Sequence, residues 1–124
     1  MEDNSTPALK VALAYHQAWT NKDTELAMSY ISPNIVCEAP AGRIEGLHAY
    51  RGFMGPFIQM LVDSRLIAAF GDEEKALVMY DTKTALVDRA PGAECVVVRD
   101  GKIVQSTFIF DRTPFDAARK AMAR

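Results

Sequence analysis

Residues 94–110 read ECVVVRDGKIVQSTFIF, and this stretch decides the fold. Valine crowds 94–99, Asp100-Gly101 is the dipeptide of a two-residue hairpin turn, and 102–110 is a second apolar, β-branched run. Such a pattern predicts two antiparallel strands. Upstream, Val78, Tyr80, Thr82, Thr84 and Leu86 alternate with Leu77, Met79, Asp81, Lys83 and Ala85, so 75–87 reads as a third strand. Arg89-Ala90-Pro91-Gly92 is a turn, and 65–70 is a further strand candidate ending at Gly71-Asp72. The second half of the chain is thus a four-stranded antiparallel meander.

The first half has the other period. Leu9, Ala12, Leu13, Tyr15, His16 and Trp19 recur at three- and four-residue spacing, predicting a helix over 7–20. Ser5-Thr6-Pro7 is its entry, a hydroxyl cap followed by proline in the first turn. Asp23 or Thr24 caps a second short helix, stopped by Ser32-Pro33-Asn34. A short strand follows over 35–39, closed by Pro40-Ala41-Gly42. Gly46 opens a third helix carrying Leu47, Tyr50, Phe53, Met54, Phe57, Ile58 and Leu61. Gly52 and Gly55 weaken it, and Pro56 should kink or divide it. Thr113-Pro114 starts a short terminal helix over 115–123. Helices followed by strands argue for an α+β fold, with a curved sheet wrapping a long helix to form a cone open at one end.

Composition narrows the possibilities. The 124 residues are 49% hydrophobic and 24% charged, with a net charge of -2. That is material for one domain, over 1–124, able to bury a core without staples. The interspersed charges give no basic footprint for nucleic acid. No apolar run is long enough to span a bilayer, and the acidic, polar start MEDNSTP is not a secretory leader. Cys37 and Cys95, each within an apolar run, read as reduced core cysteines of a cytoplasmic protein.

Taken in order, Tyr15-His16-Gln17-Ala18-Trp19 before Asn21-Lys22-Asp23, then Ile35-Val36-Cys37-Glu38-Ala39-Pro40-Ala41-Gly42, then Val98-Arg99-Asp100-Gly101-Lys102-Ile103-Val104 and Phe110-Asp111-Arg112-Thr113-Pro114-Phe115, the chain resembles the NTF2-like superfamily. It resembles in particular the side near SnoaL-like polyketide cyclases and ketosteroid isomerases. The resemblance runs over about 7–121. It implies a cone-shaped, cystatin-like fold, with three N-terminal helices packed on a curved, mostly antiparallel sheet.

The resemblance also implies site residues. Tyr15, by ungapped spacing to Asp23 and Pro40, matches the isomerase tyrosine that donates to an oxyanion. The isomerase base falls at Ala39, so that carboxylate is absent; Glu38 is its neighbour, on the opposite face unless a bulge intervenes. Glu94 is the best match to the third isomerase residue, an acid kept protonated by its apolar surroundings. The acid–arginine–acid triad of limonene-type epoxide hydrolases would fall near Thr82, Thr84 and Phe108, and the cyclase aspartate also at Phe108, so neither set is present.

Each candidate has a plainer reading. Tyr15 can simply pack on the sheet, Glu38 can pair with Arg43, and Glu94 can sit in the rim. His16, about 100° around the helix from Tyr15, is a further candidate acid–base, or else an edge residue of the apolar stripe. His48 has less to recommend it, and two histidines without a spaced carboxylate set make no metal site. Tyr50, Phe53, Phe57, Met60, Phe70, Tyr80, Phe108 and Phe110 supply core, and some would line the cone for an apolar, planar ligand.

Two functions of different class follow. One is isomerisation or aldol-type cyclisation beside a carbonyl, with Tyr15 as oxyanion donor, Glu38 or His16 as base, and no metal or cofactor. The other is a non-catalytic module that binds an apolar small molecule or dimerises, and the alanine at 39 speaks for it. An apolar outer register (Leu77, Met79, Val87) would be buried in a homodimer.

Overall fold

The computed structural model describes residues 6–122. The elements are α1 (Pro7–Thr20), α2 (Thr24–Ser29), β1 (Ile31–Ala39), β2 (Gly42–Glu45), α3 (Leu47–Met60), β3 (Leu61–Gly71), β4 (Lys75–Thr84), β5 (Gly92–Arg99), β6 (Lys102–Phe110) and α4 (Thr113–Met122). The strands form one sheet in the order β2-β1-β6-β5-β4-β3. The expected meander from β3 to β6 is antiparallel throughout, while β1 joins β6 in parallel. The architecture is therefore α+β with a curved, open, mixed sheet.

α1 starts where proline fits best. Pro7 occupies the first turn, and extended Thr6 (φ -76°, ψ 165°) is the N-cap. The Thr6 hydroxyl makes no capping bond, and Ser5 lies outside the described residues. The buried stripe Ala8, Ala12, Tyr15 and Trp19 has helical spacing and lies on β3, β4 and β5. Lys22 takes a left-handed turn (φ 64°), and the Asp23 carboxylate then caps α2 by accepting the Leu26 N–H at 3.1 Å.

Several boundaries differ from the sequence reading, each for a local reason. Ser32-Pro33-Asn34 does not break the chain between elements: β1 already runs from Ile31. Its pairing with β6 skips from Ile31–Ile103 to Val36–Gln105, so Pro33 sits in an irregular stretch where no ladder donor is needed. Residues 42–45, unassigned from sequence, form β2 in a hairpin with β1. Pro56 does not divide α3, because Tyr50, Met54 and Ile58 are buried on one side of the helix across the proline. Leu61 ends the helix by entering β3, and the Lys22 ammonium donates to the free carbonyls of Gln59 (2.8 Å) and Leu61 (3.1 Å). β3 is longer than expected, and its two register shifts hide the alternation. β4 stops at Thr84, whose hydroxyl accepts the N–H groups of Leu86 (3.2 Å) and Val87 (3.0 Å) and turns the chain back toward β5.

The concave face carries the core, with α1 over β3–β5 and α3 over β1. The convex face keeps apolar side chains in the open: Phe70, Leu77, Met79 and Ile109 are exposed. Cys37 is buried as expected, but Cys95 stands on this outer register, opposite Leu77 and Thr107, and is exposed. Phe70, expected with the core aromatics, is likewise outside because it pairs with Leu77 on this outer register. Among the described residues no helix is long and apolar enough to cross a membrane.

Candidate active site

The concave face carries two layers, one step apart along every element that builds them. The deeper layer is polar. Glu94 of β5, Ser106 of β6, Tyr15 of α1, Tyr50 of α3 and Cys37 of β1 are all buried there. The Ser106 hydroxyl bonds the Glu94 carboxyl at 2.9 Å, and the Tyr15 and Tyr50 hydroxyls bond each other. The layer thus holds two hydrogen-bonded pairs, Ser106 with Glu94 and Tyr15 with Tyr50, and the Tyr50 hydroxyl is near enough to Glu94 to favour its ionised form.

Burial sets the charge of this layer. Desolvation pushes the Glu94 carboxyl up to about 8, against the pull of its bonds to Ser106 and Tyr50. Near neutral pH it is mostly a neutral acid and able to donate. Burial, then the proximity of Glu94, holds Tyr15 well above the ordinary phenol value. Tyr50 is raised too, by burial first and Tyr15 second, and burial lifts the Cys37 thiol to about 12, so it is no nucleophile.

One pleat or turn outward lies a cavity of about 430 Å³. On β6 the step is Ser106 to Phe108 to Phe110; on β5, Glu94 to Gly92; on β4, Val78 to Tyr80 to Thr82; on α3, Tyr50 to Met54 to Phe57. The outer member of each series lines the cavity, which is predominantly carbon. Phe53 connects the layers, its ring 6.4 Å from Tyr50 and 5.6 Å from Phe108. Gly92 brings the β5 backbone close to the Tyr80 ring: a Cβ there would lie 3.2 Å from it. Phe115 of α4 packs on Phe110 at the mouth, with Arg112 and Arg119 beside it.

Of the residues expected from sequence, Tyr15 and Glu94 come together in the polar layer. His16 does not join them. It sits behind the cavity wall between Trp19 (4.8 Å) and Tyr80 (5.2 Å). Its Nδ1 is buried without a partner among the described residues, and desolvation lowers its pKa to about 4, so the ring is neutral. Glu38 is on the other face, as simple alternation requires, 3.5 Å from Arg43 and half exposed. His48 is exposed at the start of α3. Tyr50 and Ser106 were not recognised as partners. Tyr50 could have been singled out by its place in the Tyr50–Met54–Ile58 stripe; Ser106 carried no signal. No group of three or more His, Cys, Asp or Glu among the described residues could hold a metal ion.

The fold matches a known class. Residues 12–106 match the SnoaL-like domain model, and the chain belongs to that family. It is similar to a protein of known crystal structure from Kribbella flavida, at 55% identity and a TM-score of 0.92 over 96% of this chain and 98% of that one. An NTF2-like protein of unknown function from Cytophaga hutchinsonii shares the fold at 17% identity (TM-score 0.73, 94% and 99% covered). So does a protein described as a candidate polyketide cyclase from Xanthomonas campestris, at 18% identity (TM-score 0.72, 90% and 96% covered). No curated protein matches the chain.

Proposed function

We propose that the protein is a small-molecule pocket protein of the SnoaL-like and ketosteroid isomerase-like type, acting by proton transfer beside a carbonyl on an apolar substrate. The observation that carries this reading is the buried acid Glu94, bonded to Ser106 beside the Tyr15–Tyr50 pair, next to an apolar cavity. Removing a proton next to a carbonyl builds negative charge on its oxygen. Donors held in a site poor in water stabilise that charge strongly once the carbonyl reaches them. In this reading Tyr15 and Tyr50 supply phenol donors and Glu94 a carboxylic acid donor. Of the two bases considered, Glu38 faces away from the cavity, so in this reading the proton passes to His16, a neutral imidazole one ring behind the wall. Such chemistry needs no metal or cofactor.

A second reading, a ligand-binding module without catalysis, is favoured by one observation: none of Tyr15, Tyr50 and Glu94 lines the cavity, because Phe53, Met54 and Phe108 roof them. Catalysis requires Phe53 to swing aside. In either reading the exposed apolar row of the convex sheet (Leu77, Met79, Ile109) is the seam of a homodimer.

The test combines binding and turnover of a bicyclic β,γ-unsaturated ketone. Trp19 is the reporter, since its ring lies 5.7 Å from Phe57 and 5.1 Å from Tyr80, both cavity walls. Quenching with conversion to the conjugated ketone, cut at least tenfold by Tyr15→Phe and by Glu94→Gln, supports the enzyme. Quenching without conversion leaves the binding module. No quenching at high micromolar ketone overturns both.

A further inference from the structure

We infer that the cavity takes a carboxylate: an apolar, aromatic-sized body inside, with its anionic end held at the mouth by Arg112 and Arg119. This rests on the cavity being a small-molecule site. Among the described residues, these two arginines are the only charged side chains lining it, and no acid joins them there. Arg112 stands just before α4 and Arg119 in its last turn, and both side chains reach the same cavity.

Asp116 lies between them, half exposed, 3.8 Å from Arg112 and 3.9 Å from Arg119. Both separations exceed hydrogen-bond length. One acid for two guanidinium groups leaves a net positive rim, with N–H donors not committed to Asp116. Arg119 is further oriented by Phe115, its guanidinium carbon 5.9 Å from the ring centre. A planar, delocalised cation with a fixed fork of donors suits a carboxylate, which it can bind through two parallel bonds. The low-dielectric wall of Phe108, Phe110 and Phe115 below the rim strengthens that attraction. A neutral ketone would leave these cations nothing to recognise; an apolar acid satisfies wall and rim together.

Calorimetric titration with 2-naphthoate and its neutral isostere 2-naphthamide separates the two readings. The amide reports the cavity, and the ratio of the two affinities reports the rim. The expected result is naphthoate binding about five- to tenfold more tightly than the amide at low salt. The preference should shrink with added salt and fall to about one in the Arg112→Gln/Arg119→Gln double variant. The Arg112→Lys/Arg119→Lys double variant, which keeps the charge but not the fork, should retain part of it. Equal binding of the two compounds by the wild type, or an unchanged ratio in the glutamine variant, overturns the carboxylate assignment and leaves the cavity reading standing. If neither compound binds at millimolar concentration, both fall.

Discussion

Glu94 and Phe108 are direct partners across the β5–β6 ladder and project from the same face, yet only Phe108 reaches the cavity. The acid is held neutral because the ring beside it, with Met54 and Phe53, keeps the cavity's solvent away. The two side chains work as one device, in which the aromatic residue sets the protonation of the carboxyl.

Truncating the roof should therefore discharge the acid. Phe108→Ala joins the cavity to the polar layer and lets water reach Glu94. Its carboxyl should move from about 8 toward the ordinary carboxylate value. Carbon-13 NMR titration of labelled glutamate measures this directly. The same substitution should lower stability by about 3 kcal/mol, as for other buried aromatic rings.

Stability should fall as the solution is made alkaline through the Glu94 window. The folded protein holds this proton up to about pH 8, whereas the unfolded chain releases it near the ordinary glutamate value of 4.5. The stabilisation is complete below the lower value and lost as pH rises toward the higher. His16 has the opposite sign: its folded pKa of about 4 lies below the unfolded 6.5, so stability is lost as pH falls through that interval. Between pH 4.5 and 6.5 the two slopes oppose; from 6.5 to 8 Glu94 acts alone. There the slope is up to about 1.4 kcal/mol per pH unit. Urea melts should find it in the wild type and not in Glu94→Gln.

The tyrosine pair should behave as a unit. Tyr15→Phe or Tyr50→Phe strands a buried hydroxyl, at a cost of about 1–3 kcal/mol each. The double substitution removes both hydroxyls and should cost less than the sum of the single ones. A double-mutant cycle from chemical denaturation should show coupling of about 1 kcal/mol or more. Additive losses would mean that the two hydroxyls do not share a bond.

Gly52→Ala should stabilise α3. A Cβ at this exposed helical position meets nothing within 4 Å. Alanine restricts the unfolded chain more and favours the helix, by about 0.5–1 kcal/mol. Gly71→Ala is the contrasting control: its Cβ would lie 2.9 Å from the Lys75 carbonyl oxygen, and thermal melting should show a loss.

If the convex face is a dimer seam, a charge placed there should split the pair. Leu77→Glu with Ile109→Lys introduces ionised groups where exposed apolar side chains now stand. Light scattering after size-exclusion chromatography should move from twice the 13.7 kDa chain mass to that mass. The monomer should keep its far-ultraviolet spectrum, since neither side chain is part of the core.

Local periodicity was enough for α1, for the β5–β6 hairpin around Asp100-Gly101, and for the inward register of β4. In each, a uniform repeat coincides with one buried face. It failed where the repeat is interrupted. The two register shifts of β3 and the irregular stretch around Pro33 displace the alternation, and β2 is too short to show any. At the site, family likeness pointed to Tyr15 and Glu94. Strand parity put Glu38 outside, where the structure has it.

What the amino-acid order determined by itself is which residues are inward on the evenly repeating elements, α1, β4 and α3, because helical and strand periods are properties of neighbouring residues. What only tertiary structure decided is which inward residues meet. Tyr50 becomes a partner of Tyr15 across 35 positions, and Ser106 of Glu94 across 12, because α3 and β6 deliver them to the same depth of one curved sheet. Depth along the cone, which separates a buried acid from an open cavity one pleat away, arises from sheet curvature and long-range packing. No local pattern encodes it.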